Sequence, residues 1–310
     1  MQRFASTIQA RMALIMETEI WPNMITAVKK SGSQLVYTNV RLSERSYLRY
    51  AKFPSMVATT LAQVDHFAVQ GKLDRKHLQL LGVSEHKITE TGSIKFDVNV
   101  TPSLKEAAEV LRRQLGQDRL IWIAGSTREG EEGRILSVYK HLKIEFPSLL
   151  LVLVPRHPER FDVIARKIQR RELVCARRSE STNDLEANVD VYLGDTMGEL
   201  SLMYASSDLA FVGGSLVPMG GQNILEPSAL GVPVVFGPHM FNFPDISRWA
   251  VKEGAGKMVQ DTKQLESVVR ELLANPNLRD DMGSRGLRLI EAHRGALDKN
   301  FRMLEDFKKP

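Results

Sequence analysis

The sequence predicts an α/β fold with parallel sheets, and three observations carry that prediction. Short apolar runs of strand length alternate with amphipathic stretches from end to end. Phe211-Val212-Gly213-Gly214-Ser215, followed by Gly220-Gly221-Gln222-Asn223-Ile224-Leu225-Glu226-Pro227, reads as a buried strand, a glycine-rich turn and the first turn of a helix. The 310 residues, 43% hydrophobic and 25% charged, are enough for two globular domains of ordinary size.

Taken in order, the first third offers strands at 13–16, 34–38 and 66–69, with helices between them that include 22–30 and 72–81. Pro22 suits a first helical turn, where its missing N–H costs nothing. Residues 89–102 carry Gly92, Asp97, Asn99 and Pro102 with little periodicity, and they read as a linker. A longer series follows the helix expected at 104–115. Its strands are 120–124, 149–154, 173–176, 189–193, 209–212 and 232–236, and its helices are 130–145, 158–171, 198–206, 222–230, 245–253, 262–274 and 277–292. The second series can form a complete doubly wound domain, 101–294. The first, 1–100, has too few strands for one, and 295–310 is expected as a C-terminal helix.

Composition narrows the partners. A net charge of +5 favours anionic ones, but the basic runs at 156–171 and Arg177-Arg178 lack the aromatic residues that single-stranded nucleic acid stacks on. No window approaches the roughly 20 apolar residues that span a bilayer, and the start lacks a signal-peptide layout. The single Cys175 cannot form an internal disulfide, so a reducing compartment is expected.

In a doubly wound sheet, ligands sit beyond the carboxyl ends of the strands. Five loops should gather there: Gly125-Ser126-Thr127, Pro155-Arg156-His157-Pro158, Gly194-Asp195-Thr196-Met197-Gly198-Glu199, the glycine motif at 213–226, and Gly237-Pro238-His239. Glycine lets the backbone approach a phosphate, a helix start offers N–H groups to it, and Glu226 can accept from sugar hydroxyls. A tight turn with Glu226 as an ordinary first-turn acid explains the same residues. Arg156, straight after a buried strand, can grip phosphate or carboxylate; a salt bridge to Glu159 is the alternative. Ser126 or Thr127 can donate to phosphate or cap the next helix, and a flat base can rest on Met197 and Gly198. In the first series, Glu17 and Glu19 follow a strand, where one of them could face an interdomain cleft, and Lys95 in the linker could offset charge on a leaving phosphate.

Together, Met16-Glu17-Thr18-Glu19-Ile20-Trp21-Pro22-Asn23, Thr91-Gly92-Ser93-Ile94-Lys95-Phe96-Asp97, Val154-Pro155-Arg156-His157-Pro158-Glu159-Arg160-Phe161, Gly194-Asp195-Thr196-Met197-Gly198-Glu199-Leu200 and Phe211-Val212-Gly213-Gly214-Ser215-Leu216 closely resemble the bacterial 3-deoxy-D-manno-octulosonic acid (Kdo) transferases of lipopolysaccharide synthesis. The resemblance covers nearly the whole chain. It implies a GT-B fold with two Rossmann-like domains, here a complete C-terminal and a partial N-terminal one. It also implies an inverting transfer of Kdo from CMP-Kdo to lipid IVA, with no metal or cofactor, on an anionic membrane at the cytoplasmic face of the inner membrane. By the same resemblance Pro155, Arg156, Met197, Gly198, Glu199, Asn223, Ile224, Leu225 and Glu226 contact CMP, and Glu17 and Lys95 stabilise the transition state. The family's anchoring helix and general-base Glu precede the stretch where the resemblance begins, so the chain is expected to lack the family's N-terminal part. A CMP-binding remnant without turnover, and a UDP-sugar GT-B transferase or epimerase, are the alternative readings.

Overall fold

The computed structural model describes residues 1–180 and 184–307. They divide into two compact units: 1–97 together with the chain from 293 onward, and 98–292. Residues 308–310, the end of the expected C-terminal helix, lie outside the described residues.

The first unit runs α1 (Gln2–Ile8), β1 (Met12–Met16), α2 (Pro22–Lys30), β2 (Gln34–Val40), α3 (Glu44–Tyr50), α4 (Pro54–Ala62), β3 (His66–Val69), α5 (Lys72–Leu80) and β4 (Ile88–Glu90). Its four strands are parallel, in the order β1-β2-β3-β4. Side chains alternate along them. Leu35, Tyr37 and Phe67 join Ile25, Val57, Leu61 and Leu78 in one core, whereas Val36 and Ala68 meet Met303 near the chain end. The stretch read as a linker opens with β4, because Ile88 to Glu90 pair with Phe67 to Val69. Three residues are too few for a period to show, and the sheet supplies the missing preference. β1 is an edge strand, and its Leu14 and Met16 are about half exposed.

The second unit contains α6 (Pro102–Leu115), β5 (Ile121–Thr127), α7 (Glu132–Glu145), β6 (Leu150–Pro155), α8 (Phe161–Gln169), β7 (Cys175–Arg177), β8 (Val191–Leu193), α9 (Leu200–Ala205), β9 (Leu209–Val212), α10 (Leu225–Ala229), β10 (Val234–Phe236), α11 (Pro244–Lys252), β11 (Gly256–Met258), α12 (Thr262–Ala274) and α13 (Pro276–His293). Its seven strands are all parallel, in the order β11-β10-β9-β5-β6-β8-β7. The central strands are buried on both faces. Trp122, Leu151, Leu153 and Phe211 point into one core with Ile135 and Leu272, while Ile121, Ile123, Val152 and Ala210 point into another with Leu111 and Met203. The strand order reverses between β5 and β9, which is where a ligand crevice is expected in such a sheet.

A last helix, α14 (Ala296–Asp306), returns to the first unit. Asp97 anchors it by accepting the N–H groups of Gly295 and Leu297, both at 2.6 Å. Among the described residues no helix is long and apolar enough to cross a membrane.

Candidate functional site

The strand-end loops of the second unit meet around a cavity of about 260 Å³ lined by Ser126, Arg156, Leu200, Tyr204, Gln222, Asn223, Glu226 and Phe243. Arg156 leaves the end of β6 and is exposed; among the described residues its guanidinium forms no ion pair, so the expected alternative with Glu159 is not realised. Glu159 instead lies 3.7 Å from His157. Glu226 sits on the first turn of α10. Asn223 fixes that turn by accepting the Leu225 N–H at 3.1 Å while its amide reaches the Glu226 carboxylate at 3.3 Å. Burial pushes the Glu226 carboxyl above its ordinary range, against opposing pulls from Asn223 and from the charge of Arg156. The apolar wall comes from Leu200, Phe243 and Tyr204, and the Tyr204 ring comes so close that a Cβ on Gly125 would lie 2.2 Å from its hydroxyl.

Several expected details of this site are corrected. The helix after the glycine motif is five residues, Leu225–Ala229, instead of 222–230, so it supplies little dipole. Ile224 and Leu225 are buried in the core and leave only backbone for a ligand. Ser126 and Thr127 do not cap a helix. β5 continues through them with a register shift, Ser126 at φ 54°, and Thr127 reaches the Glu132 carboxylate at 3.3 Å. The glycine loop does not hold its amides free either. The N–H groups of Gly214, Ser215 and Leu216 donate to Glu131 at 2.6, 3.0 and 2.9 Å, and that of Arg128 does so at 2.9 Å.

Met197, Gly198 and Glu199 precede α9 instead of opening it. The Met197 side chain is 63% exposed, and Pro155 ends β6 as a buried residue. Glu199 is already engaged: Arg178 holds it through two bonds of 2.7 and 3.0 Å, and Thr196 donates to the same carboxylate. The Arg178 guanidinium keeps the Glu199 carboxyl below the usual range, outweighing burial. Nearby, burial would raise the Asp195 carboxyl, but bonds from Ser179 and Arg177 outweigh it and hold the group low.

In the first unit, Glu17 follows β1 with its backbone at φ 61°, a left-handed conformation that costs a non-glycine residue of order 1 kcal/mol and points to function more than to packing. Its N–H donates to the Thr38 carbonyl at 2.9 Å. Lys95 lies on a short 3₁₀ turn, Ile94–Phe96, fixed by the Ile94 N–H on the Asn39 side chain at 3.2 Å. That turn carries the chain back across the strand ends, so Lys95 approaches Glu17 to 3.8 Å although their strands are opposite edges of the sheet. Glu19 is bonded to the Trp21 indole at 2.8 Å.

Known proteins resemble this chain along nearly its whole length. A family model described as 3-deoxy-D-manno-octulosonic-acid transferase (kdotransferase) matches residues 1–98, and one described as glycosyl transferases group 1 matches 101–288. The 3-deoxy-D-manno-octulosonic acid transferase of Haemophilus influenzae is 41% identical over 98% of this chain and 71% of its own length. The chain belongs to the Kdo transferase family. The crystal structure of the C-terminal CMP-Kdo binding domain of WaaA from Acinetobacter baumannii is 36% identical, with a TM-score of 0.58, and covers 61% of this chain and 99% of that one. A UDP-N-acetylglucosamine 2-epimerase structure reaches a TM-score of 0.62 over 99% of this chain and 76% of its own, at 15% identity; that likeness shows the shared GT-B fold alone.

Within this Kdo transferase fold, sequence reasoning passed over three residues bonded to the strand-end loops: Glu131, Glu132 and Arg178. Glu131 and Glu132 are both 0% exposed, and Glu132 takes a two-pronged bond from Arg160. Two adjacent acids at a helix start look like ordinary dipole partners. What could have singled them out is their position, one turn after a buried strand and against a glycine loop. Arg178 carried no such signal, because its partner is 21 residues away. A larger groove, about 580 Å³, is lined by Lys105, Arg112 and Leu287 among others; it includes none of the strand-end loops.

Proposed function

We propose that this chain transfers Kdo from CMP-Kdo to the lipid A precursor lipid IVA, inverting the anomeric centre and using no metal. The observation that carries this reading is the meeting of Arg156, Asn223 and Glu226 around one cavity in a member of the Kdo transferase family. Arg156 has donors to spare for the phosphate of CMP. Glu226, with Asn223 as its side-chain partner, retains acceptor capacity for the ribose hydroxyls. Leu200, Phe243 and the Met197-Gly198 backbone offer surfaces for the base, and Glu199 acts through its bond to Arg178, which fixes the loop they stand on. Pro155, Ile224 and Leu225 contribute backbone.

The acceptor hydroxyl oxygen bonds to the anomeric carbon from the face opposite the phosphate and gives up its proton to water. The bond from that carbon to the phosphate oxygen breaks with its electron pair going to CMP, so positive charge builds on the sugar and negative charge on the leaving phosphate. Arg156 takes the phosphate charge, and Lys95 and Glu17 stabilise the transition state, as the family resemblance implies. The Glu17 carboxylate offsets the positive charge on the sugar. The acceptor's phosphates and the anionic membrane surface meet the first unit, where Arg45, Arg49 and Lys52 surround exposed Leu48. In this reading the chain works peripherally at the cytoplasmic face of the inner membrane.

A transfer assay with labelled CMP-Kdo and lipid IVA tests the proposal. Labelled Kdo on the lipid, with release of CMP, is the expected result. CMP binding without any transfer supports the remnant reading instead, and turnover of a UDP-sugar overturns the donor assignment.

A further inference from the structure

Glu131 and Glu132 are adjacent, fully buried and ionisable, yet no step of the proposed reaction uses either. Burying a carboxylate is costly unless it is matched by donors, and a well-packed apolar pair often serves stability equally well. Their bonds lead in opposite directions. Glu131 receives the amides of Gly214, Ser215 and Leu216 on the loop after β9, and that of Arg128 on the loop after β5. Those four N–H groups supply both of its oxygens. Glu132 receives the Arg160 fork, at 3.1 Å through the second nitrogen, and the Thr127 hydroxyl.

Each bond set continues to a residue of the donor cavity. On one side, Gly213 and Gly214 accept the N–H groups of Gln222 and Gly221 at 3.1 and 2.8 Å, which leads directly into Asn223 and Glu226. Gly213 lies so close to β5 that an added Cβ would stand 2.5 Å from the Ser126 carbonyl, so the loop has no slack there. On the other side, Arg160 closes the segment that begins with Arg156, whose own N–H donates to the Thr127 carbonyl at 3.0 Å. Arg128, next to the Glu131 turn, also contacts His157 of that segment.

We propose that Glu131 and Glu132 are positioning residues that brace the loops after β5, β6 and β9 into one frame and set the separation of Arg156 from Glu226. This rests on the donor reading above. Glu131 works through the glycine loop on Asn223 and Glu226; Glu132 works through Arg160 on Arg156. A one-residue step along the chain thus connects the phosphate-binding and ribose-binding sides of the site. Errors of about 1 Å in such a separation weaken a two-point ligand strongly.

The test combines CMP titration calorimetry with amide hydrogen exchange on the full chain carrying Glu131→Gln, Glu132→Gln or Arg160→Lys. The last keeps the charge but removes the fork, and it serves if the buried substitutions do not fold. Asp208→Asn is the control, since Asp208 accepts the Ile121 N–H at 2.7 Å and an Arg112 bond at the opposite end of the strands. CMP affinity should fall about tenfold or more in the first three variants. Exchange should accelerate at 213–222 for Glu131→Gln and at 156–160 for Glu132→Gln and Arg160→Lys. The control should lose thermal stability and keep its CMP affinity. CMP affinity unchanged in the three variants, or lowered without faster exchange in those segments, overturns the proposal. If the unsubstituted chain fails to bind CMP, the donor reading fails, and exchange alone judges the frame.

Discussion

In the larger unit the acids at the strand ends are buried, or half-buried in the case of Glu199, and matched by amides or by arginines: Glu131, Glu132, Asp195 and Glu199 each have two or more donors. At the corresponding edge of the smaller sheet, Glu17 and Lys95 stand partly in solvent, 3.8 Å apart, with Glu17 held in a left-handed backbone. The same parallel-sheet architecture therefore positions charge in two ways. A buried, fully bonded frame suits a site that must hold one nucleotide in one pose. A partly exposed pair beside a strained backbone suits charges whose work falls at the transition state and not in holding the nucleotide.

The contrast is broken or sharpened first at Lys95. Lys95→Ala should lower kcat by about 10²–10³-fold, as removal of a transition-state donor does. CMP affinity, measured by calorimetry, should change by less than about twofold, because an interaction made only in the transition state adds little to ground-state binding. Arg156→Ala should do the reverse of this split: CMP binding weakens by about 10–100-fold, the worth of a hydrogen bond to a charged group. Equal losses of CMP affinity in both variants would erase the distinction.

Acid separates the units in a third way. Glu199 and Asp195 are depressed in the folded chain relative to ordinary values of 4.5 and 3.8. A depressed carboxyl contributes stability that is fully present above its unfolded pKa and is lost as the pH falls through its folded pKa. Thermal melts from pH 7 downward should therefore hold until the pH passes below these ordinary values and then fall, and Glu199→Gln should flatten that acid limb. The smallest effect is expected at Glu17. Glu17→Asn keeps a residue that tolerates the left-handed region and gives up only an exposed ion pair, so stability should rise by up to about 1 kcal/mol while transfer falls. A loss of stability in that variant would mean that the conformation is not strained.

Much of this was legible in the sequence. The alternation of apolar runs located nine of the eleven strands of the described residues, the central ones most clearly because each is a continuous run buried on both faces; β4 was one miss. β11 was the other miss: Gly256, Lys257 and Met258 carry too little apolar character to stand out, and the strand exists because it pairs with β10. The positions of Arg156, Asn223 and Glu226 were legible because each is fixed locally, by a strand end or a short turn. The frame behind them was not. Glu131 finds its partners 83–85 residues away, and local pattern carries no trace of a contact that distant. The glycine loop was read as an opening for phosphate; the amides of Gly214, Ser215 and Leu216 within it are given to the carboxylate of Glu131.

The central claim is that the second unit holds a cytidine nucleotide between Arg156 and Glu226. Titrating CMP and, separately, UDP into the intact chain by calorimetry tests it most directly. Saturable one-site binding of CMP, weakened about tenfold or more in Arg156→Ala and Glu226→Ala, is the predicted result; binding of UDP with none of CMP would contradict it.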